Sequence, residues 1–248
     1  MLKSFGTPPL FAEIYGNWPP NVVALHGWNR NRDDFRAVLR GLSAVAVDLP
    51  GFGASPAPSE VYGSRKYAER VAEVLHAVGN PVVLVGHSFG ARVAVRLAVM
   101  RPDAIRALVL TGAPIAPSTR PRRKPKLPYR AIRMLRRTGI LTEDALERAR
   151  RRYGSADYRQ AQGVMRDVLV TTLHEDYQQD LGRLTQPVAL VWGENDPEVP
   201  LDVAQRACGI IACCTLETVP GVGHCLPWLA PEKLRAVILN ALGAPVAS

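Results

Sequence analysis

The chain has no apolar run long enough to cross a membrane. A spanning helix needs roughly 20 consecutive apolar residues, and charged residues, glycines or prolines interrupt every apolar stretch well before that length. The first 20 residues, MLKSFGTPPLFAEIYGNWPP, also lack an apolar segment followed by a small-residue cleavage site. We therefore expect a cytoplasmic protein with no stable membrane insertion.

Cysteine is scarce and confined to the last fifth of the chain. The four cysteines show neither C-x-x-C spacing nor an even framework; they are Cys208, Cys213, Cys214 and Cys225. We interpret them as reduced, structural residues, and we expect no metal site among them.

Acidic residues are few in one segment, 113–185, which holds 16 Lys and Arg against 8 Asp and Glu and carries most of the net charge of +9. A basic run can bind nucleic acid, anionic lipid or an acidic substrate. The alternative is a solvated surface in a chain where arginine outnumbers lysine 26 to 5. We favour the solvated surface and expect no nucleic-acid partner, because no nucleic-acid-binding motif or interleaved aromatic series accompanies the charge.

Short apolar runs recur along the chain. Hydrophobic residues make up 47% of the 248 residues, enough for a buried core. Five runs rich in Val and Leu lie at 22–25, 44–47, 82–85, 107–110 and 188–192. Continuous apolar runs of this length are typical of strands buried on both faces of a parallel sheet.

Helical periodicity alternates with these runs. Apolar residues recur at spacings of three and four over 35–42 and 67–78, and the stretches 91–100 and 232–242 also favour helices. Alternating strands and helices predict an α/β fold with a mostly parallel central sheet and helices on both sides.

One long segment interrupts the alternation. Residues 113–185 show no clear strand pattern and contain helix-like stretches at 131–137 and 143–152. About 70 residues are too many for an ordinary connection between strands. We therefore predict a basic helical cap over 113–185, set between a first core part at 1–112 and a second at 186–248.

The sequence GHSFG at 86–90 matches G-x-S-x-G, the nucleophile elbow. An apolar strand pattern precedes it and a buried helix pattern follows, as that turn requires. The pattern predicts that Ser88 is lifted above the sheet edge, with glycines on both sides because side chains there would clash with neighbouring backbone. The alternative is a serine in an ordinary glycine turn before a helix.

A serine nucleophile needs a base, and the base needs an acid to orient it. In this architecture the chain order is Ser, then Asp or Glu, then His. The loop after the run at 188–192 offers Asp196, which we prefer to Glu194 and Glu198. His224 lies on a Gly-rich loop further along and is the candidate base. The remaining histidines are less suited to that role: His26, which we interpret as a loop anchor, His76, His87 and His174.

An oxyanion hole is the remaining component of such a site. The sequence LHGWN at 25–29 follows the first long apolar run, and the backbone N–H of Trp28 can point into the site there. The amide of Phe89, directly after the nucleophile, is the second candidate donor. A site of this kind requires no metal and no organic cofactor.

Five motifs in one order, HGW, DLPGFG, GHSFG, GENDPEVP and GVGH, resemble the α/β-hydrolase superfamily, in particular its small capped serine esterases and C–C bond hydrolases. The resemblance runs from about Val22 to Leu242. It implies a triad and an oxyanion hole, together with a structural role for Asp48 and a cap that lines the pocket. The implied site residues are Ser88 (nucleophile), Asp196 (acid), His224 (base) and the amides of Trp28 and Phe89. Serine at the elbow differs from the aspartate of haloalkane dehalogenases and epoxide hydrolases, and Ala230 stands where many relatives carry an acid.

The sequence thus predicts a hydrolase that cleaves an ester or related acyl bond of a small molecule through an acyl-enzyme. The basic segment raises the option of an anionic substrate. The same triad also serves C–C, thioester or amide cleavage. A non-catalytic receptor on this scaffold, and a protein that docks on anionic surfaces through its basic segment, are further alternatives. Substrate identity and oligomeric state are not defined by the sequence.

Overall fold

The computed structural model describes residues 1–119 and 156–243, and these contain one eight-stranded sheet. Its strands lie in the order β1-β2-β4-β3-β5-β6-β7-β8. The first two strands run antiparallel to their neighbours, and every pair from β4 across to β8 is parallel. The strands are β1 (Leu2–Phe5), β2 (Leu10–Tyr15), β3 (Val22–Leu25), β4 (Ala44–Val47), β5 (Val82–His87), β6 (Ile105–Thr111), β7 (Val188–Gly193) and β8 (Cys214–Val219). The predicted mostly parallel sheet is confirmed.

Helices follow most strands, as the alternating pattern predicts. They are α1 (Arg36–Leu39), α2 (Ser64–Val78), α3 (Phe89–Met100), α4 (Ala156–Gln160), α5 (Val164–Leu173), α6 (Gln178–Leu181), α7 (Leu201–Ile210), α8 (Leu226–Leu229) and α9 (Pro231–Gly243). Short 3-10 turns lie at Arg32–Phe35 and Pro102–Ala104. No helix within the described ranges is both long and apolar enough to span a bilayer.

The helix predicted over 35–42 is shorter in the structure. The chain enters it through the 3-10 turn, where the Asn31 side chain accepts a hydrogen bond from the amide of Asp33 at 2.8 Å. Helix α1 ends at Leu39, and Gly41 follows in the left-handed conformation at φ 74°. Such a φ favours glycine and stops the helix before Leu42.

The central strands send alternate side chains to opposite faces of the sheet. In β3, Val23 and Leu25 pack into the core that includes residues of α2, α3 and α7, whereas Val22 and Ala24 pack against α1 and α9. All four side chains are fully buried. Burial on both faces explains why these strands are continuous apolar runs in the sequence.

The predicted cap is described only in part. Residues 156–185 contain α4, α5 and α6 and no strand, which fits a helical segment. The helix-like stretches predicted at 131–137 and 143–152 lie outside the described residues. The division of the chain into a cap and two core parts therefore stays a prediction.

The prediction of four reduced cysteines is wrong for two of them. Cys208 in α7 and Cys214 at the start of β8 form a disulfide, with their Cα atoms 5.4 Å apart, while Cys213 and Cys225 are free. The chain turns directly from α7 into β8, which brings the two thiols together. Their separation of six residues does not match the C-x-x-C spacing that the sequence interpretation relied on.

Candidate active site

Ser88 is the single residue between strand β5 and helix α3. Its backbone has φ 50° and ψ −109°, a conformation that a residue with a side chain adopts only at a cost. Its amide donates a hydrogen bond to the carbonyl oxygen of Thr111 at 2.9 Å, which ties the turn to the end of β6. Ser88 is partly exposed although its neighbours on both sides are buried. The turn therefore presents the hydroxyl at the carboxyl edge of the sheet.

The two glycines of the motif are needed because backbone lies where their side chains would be. A Cβ on Gly86 would lie 2.6 Å from the Cα of Ala91, and a Cβ on Gly90 would lie 2.1 Å from the carbonyl oxygen of Leu25. These contacts lock the first turn of α3 against β5 and β3. The spacing of the glycines thus sets the close approach that holds Ser88 in place.

The two predicted oxyanion donors lie beside this turn. Phe89 begins α3, so its amide has no acceptor within the helix. Trp28 lies in the turn after β3. Neither amide donates a hydrogen bond to another group in the described part of the chain. The two side chains pack edge to face, with ring centroids 5.3 Å apart. Within the described residues both amides are thus free of a backbone partner, as the predicted role requires.

His26 anchors the loop that carries Trp28. Its Nε2 accepts a hydrogen bond from the amide of Leu49 at 3.0 Å, and its Nδ1 lies 2.7 Å from the carbonyl oxygen of Gly27. Full burial lowers the pKa of His26 to about 4, so the ring is neutral and donates from Nδ1. As interpreted from the sequence, His26 is a structural link and not a second base.

Asp48 holds the neighbouring DLPGFG loop. The fully buried carboxylate accepts hydrogen bonds from the amides of Arg32 and Ala54, each at 2.8 Å, and forms an ion pair with the Arg32 guanidinium. It thereby joins the chain after β4 to the 3-10 turn that precedes α1. This arrangement fits the structural role that the resemblance implies for Asp48.

Asp196 and His224 are in direct contact. His224 Nδ1 lies 2.7 Å from Asp196 Oδ2. The other oxygen, Oδ1, accepts hydrogen bonds from the amides of Glu198 and Val199, both at 2.8 Å. Only 4% of Asp196 is exposed. Of the three acids considered in this loop, Asp196 is the one that contacts Nδ1 of the imidazole.

The imidazole of His224 lies over the end of β6. A Cβ on Gly112 would lie 2.8 Å from its Cε1, so the ring packs against the residue that follows Thr111. The Nε2 of His87 lies 3.1 Å from the carbonyl oxygen of His224. Burial lowers the pKa of His87 to about 3, and this neutral ring donates from Nε2 to that carbonyl.

The protonated form of His224 is favoured by its neighbours. Burial alone lowers the pKa of His224, but the hydrogen bond and charge of Asp196, with the charges of Glu198 and Asp157, outweigh it and raise that pKa above the ordinary value. A partly buried histidine whose pKa is shifted by specific charged partners is typical of general acid–base catalysts.

Ser88 and His224 reach the same sheet edge but do not share a hydrogen bond. Both contact the end of β6, Ser88 through the Thr111 carbonyl and His224 through Gly112. In the described part of the chain the nearest acid to His224 Nε2 is Glu198, whose Oε2 lies at 3.6 Å. Catalytic hydrogen bonds are often loose without substrate.

Two features of the site had no signal in the sequence. Asn29, with φ 55°, donates a side-chain hydrogen bond to Gln160 of α4 at 2.5 Å, which connects the loop of Trp28 to the predicted cap. Aromatic rings also cluster around Phe89: Trp28, Phe52 and Tyr67 lie with centroids 5.3, 6.3 and 4.9 Å from it. Both features join residues far apart in the chain, where no local motif connects them.

No group of three or more His, Cys, Asp or Glu residues within 1–119 and 156–243 is arranged to hold a metal ion. The chemistry available to this site from its own residues is a hydroxyl, an imidazole, carboxylates and backbone amides.

The chain matches a known family over most of its length. Residues 22–237 match the sequence model of the alpha/beta hydrolase family. Since the match spans most of the chain, the protein belongs to this family.

Relatives over nearly the full length are hydrolases. The chain is 27% identical over 258 aligned positions to a 2-hydroxy-6-oxononadienedioate/2-hydroxy-6-oxononatrienedioate hydrolase of Cupriavidus pinatubonensis, an alignment that covers 90% of this chain and 86% of that protein. It is 28% identical to a pimeloyl-(acyl-carrier protein) methyl ester esterase of Chromobacterium violaceum, with 90% and 94% covered. The chain is therefore a hydrolase of the α/β-hydrolase type.

A solved structure shows the same fold. The thermophilic esterase from Thermogutta terrifontis superposes with a TM-score of 0.72 at 21% identity, and the superposition covers 98% of each chain.

Proposed function

We propose that the protein is a serine hydrolase that cleaves an ester or related acyl bond of a small molecule. Ser88 is the nucleophile, His224 the base, and Asp196 the acid that orients it. The observation that supports this most directly is the 2.7 Å contact between His224 Nδ1 and Asp196 Oδ2, at the same sheet edge as the strained Ser88 turn.

The first step begins with the imidazole tautomer. Asp196 accepts the Nδ1 hydrogen, which leaves the lone pair of Nε2 free to take the proton of the Ser88 hydroxyl. Oγ then attacks the acyl carbon, the carbonyl π electrons move to oxygen, and a tetrahedral oxyanion forms. The amides of Trp28 and Phe89 stabilise it, and each such donor contributes on the order of 100- to 1000-fold in rate.

The second step releases the products. Protonated His224 gives its proton to the leaving alcohol as the tetrahedral intermediate collapses to the acyl-enzyme. Water, deprotonated by His224, then attacks the acyl carbon and forms a second tetrahedral intermediate. Its collapse breaks the bond between carbon and Ser88 Oγ and releases the acid, while His224 returns its proton to Oγ. These steps use only residues of the chain and require no metal or organic cofactor.

A C–C bond hydrolase is the second candidate. It is supported by the similarity to the hydrolase of C. pinatubonensis, at 27% identity. The identity to the methyl ester esterase is nearly the same, 28%. Thioester or amide cleavage by the same triad is a further variant, because fold and triad do not define the bond that is cleaved. A non-catalytic receptor has less support, since unengaged amides and an oriented histidine have no role in it.

The cap and the cellular location are further parts of the proposal. We propose that 113–185 forms a cap, supported by the contact of Gln160 with Asn29 beside the candidate oxyanion hole. A cytoplasmic location stays a prediction from the sequence. The Cys208–Cys214 disulfide does not support it, because such bonds are rare in reducing compartments.

A panel of p-nitrophenyl esters with short to medium acyl chains tests the proposal. We expect turnover by the wild type and none above background by Ser88→Ala, with unchanged folding by circular dichroism. Turnover of 2-hydroxy-6-oxononadienedioate, the compound in the name of the C. pinatubonensis hydrolase, but of no ester would favour the C–C hydrolase. Equal turnover by the two proteins would contradict a role for Ser88 as nucleophile.

A further inference from the structure

His224 has a second carboxylate at the edge opposite Asp196. Glu198 Oε2 lies 3.6 Å from His224 Nε2, while Asp196 contacts Nδ1. In the proposed mechanism Nε2 is the nitrogen that exchanges the proton with Ser88. Glu198 therefore faces the reacting edge of the base.

One tight turn positions both carboxylates. The Glu198 amide donates to Asp196 Oδ1 at 2.8 Å, so the backbone that carries Glu198 is bound to the acid that orients His224. The Glu198 side chain is 64% exposed, whereas that of His224 is 8% exposed. The Glu198 side chain thus approaches the imidazole from the solvent side. Because it is exposed, its replacement should not disturb the fold.

The other groups that face His224 define the electrostatic setting. Asp157 of α4 adds negative charge from the predicted cap. His87, whose ring centroid lies 5.1 Å from that of His224, is neutral because burial depresses its pKa. The thiol of Cys225, the next residue in the chain, has a pKa raised by burial and is uncharged. Among the described residues, the charges that act on the ring are therefore the carboxylates of Asp196, Glu198 and Asp157.

We propose that Glu198 is a positioning residue whose carboxylate attracts the Nε2–H edge of protonated His224 and stabilises the imidazolium. This inference rests on the proposed function for its role in catalysis. When Ser88 gives its proton to Nε2, the ring becomes a cation beside the Glu198 carboxylate, whose Oε2 lies 3.6 Å from that nitrogen. When the imidazole is neutral, the carboxylate and the Nε2 lone pair repel, so the ring is released toward the serine hydroxyl.

The proposal has a consequence for pH dependence. Stabilisation of the imidazolium raises the pKa of His224. As the pH falls, the free enzyme therefore loses its unprotonated base at a higher pH. Removal of the charge in Glu198→Gln should therefore move the acid limb of kcat/KM to lower pH, by roughly 0.2 to 0.7 of a pH unit, the range expected for an exposed ion pair. High salt should move the wild-type limb in the same direction, because salt screens exposed charges.

The matched control is Glu194→Gln. Glu194 is an exposed carboxylate in the same loop that forms no ion pair with His224 in the described structure. Its substitution removes the same unit of charge from the same surface. It should leave the acid limb within experimental error of the wild type.

The deciding experiment follows the His224 imidazole by NMR titration in the wild type, Glu198→Gln and Glu194→Gln, with its signal assigned by loss in His224→Gln. We expect a lower pKa of His224 in Glu198→Gln alone, and a smaller difference in 1 M salt. Equal pKa values in the three proteins would overturn the proposal. The titration needs no turnover, so failure of the proposed function would appear separately, as an ester panel without activity.

Discussion

Asp196 Oδ2 lies 2.7 Å from His224 Nδ1 although 28 residues separate them in the chain. The two residues lie on the loops that follow β7 and β8, adjacent parallel strands whose carboxyl ends meet at one edge. Two backbone amides bind the other oxygen of Asp196, so the carboxylate cannot turn away. The acid therefore fixes which imidazole nitrogen carries the hydrogen.

Substitution of Asp196 by Asn tests this relationship. The amide NH2 can donate to Nδ1 and stabilise the wrong tautomer, which places the hydrogen on the nitrogen that must accept the Ser88 proton. We expect kcat for an active ester to fall by about 10⁴-fold, as for the loss of such an acid in other triads. Glu194→Gln in the same loop should retain wild-type kcat. A fall of less than about tenfold in Asp196→Asn would show that Asp196 does not set the tautomer.

The glycines around the nucleophile provide a test of packing. In Gly90→Ala the new Cβ would meet the carbonyl oxygen of Leu25 at 2.1 Å, and backbone cannot yield as a flexible side chain can. We expect a loss of about 3 kcal/mol or more in the free energy of unfolding, measured by urea denaturation.

The control for that substitution is Gly209→Ala. Gly209 lies in α7, and a Cβ there meets nothing within 4 Å. A helical alanine in open space should stabilise the protein by about 0.5 to 1 kcal/mol. Equal free energies of unfolding in the two variants would contradict the close approach of the Leu25 carbonyl oxygen to Gly90.

Two buried histidines predict acid sensitivity of the fold. Burial lowers the pKa of His26 to about 4 and that of His87 to about 3, below the ordinary 6.5 that they regain on unfolding. The unfolded chain therefore binds more protons below pH 6.5, and the stability that these neutral rings allow is lost as pH falls toward 4. The pKa of His224 is shifted upward instead. Its contribution to stability is therefore present below pH 6.5 and is lost as the pH rises through its folded-state pKa.

We expect the free energy of unfolding to fall by about 2 kcal/mol between pH 6.5 and 5.5, the sum of two histidines at about 1 kcal/mol each. Urea denaturation at the two pH values measures it. His87→Gln cannot titrate and should show roughly half of that loss. A pH-independent midpoint would mean that neither ring is buried as described.

The strands and the nucleophile motif could be predicted because their signals are local. β3 and β4 match the apolar runs residue for residue, since strands buried on both faces must be apolar throughout. The glycine spacing around Ser88 likewise follows from contacts within one turn. The chain order of acid and base gave Asp196 and His224 as candidates, and the structure brings this pair together.

Other features depend on contacts between distant segments and were missed. Asp196 is preferred to Glu198 from the sequence, yet the loop also brings the Glu198 carboxylate to 3.6 Å from Nε2 of His224. The hydrogen bond between Asn29 and Gln160 spans 131 residues. The disulfide joins Cys208 to Cys214 at a spacing with no recognised motif. In each case the chain path, and not composition, creates the contact.

If the basic charge of 113–185 acts on the active site, the protein should prefer anionic substrates. Replacement of Arg122, Arg123 and Lys124 by Gln should raise KM for a carboxylated ester by about threefold or more, and leave KM for a neutral ester of the same size nearly unchanged, because lost positive potential weakens capture of anions. The difference should vanish in 1 M salt. Equal effects on the two esters, or none, would leave the solvated-surface interpretation.

The most direct test of the central claim is a covalent one. The protein is treated with a fluorophosphonate, and the modified peptide is identified by mass spectrometry in the wild type, Ser88→Ala and His224→Ala. We predict one adduct on Ser88 in the wild type, none in Ser88→Ala, and labelling slowed at least about 100-fold in His224→Ala, the contribution of a general base. Labelling of another residue, or labelling of Ser88 that proceeds equally fast without His224, would contradict a serine nucleophile activated by this histidine.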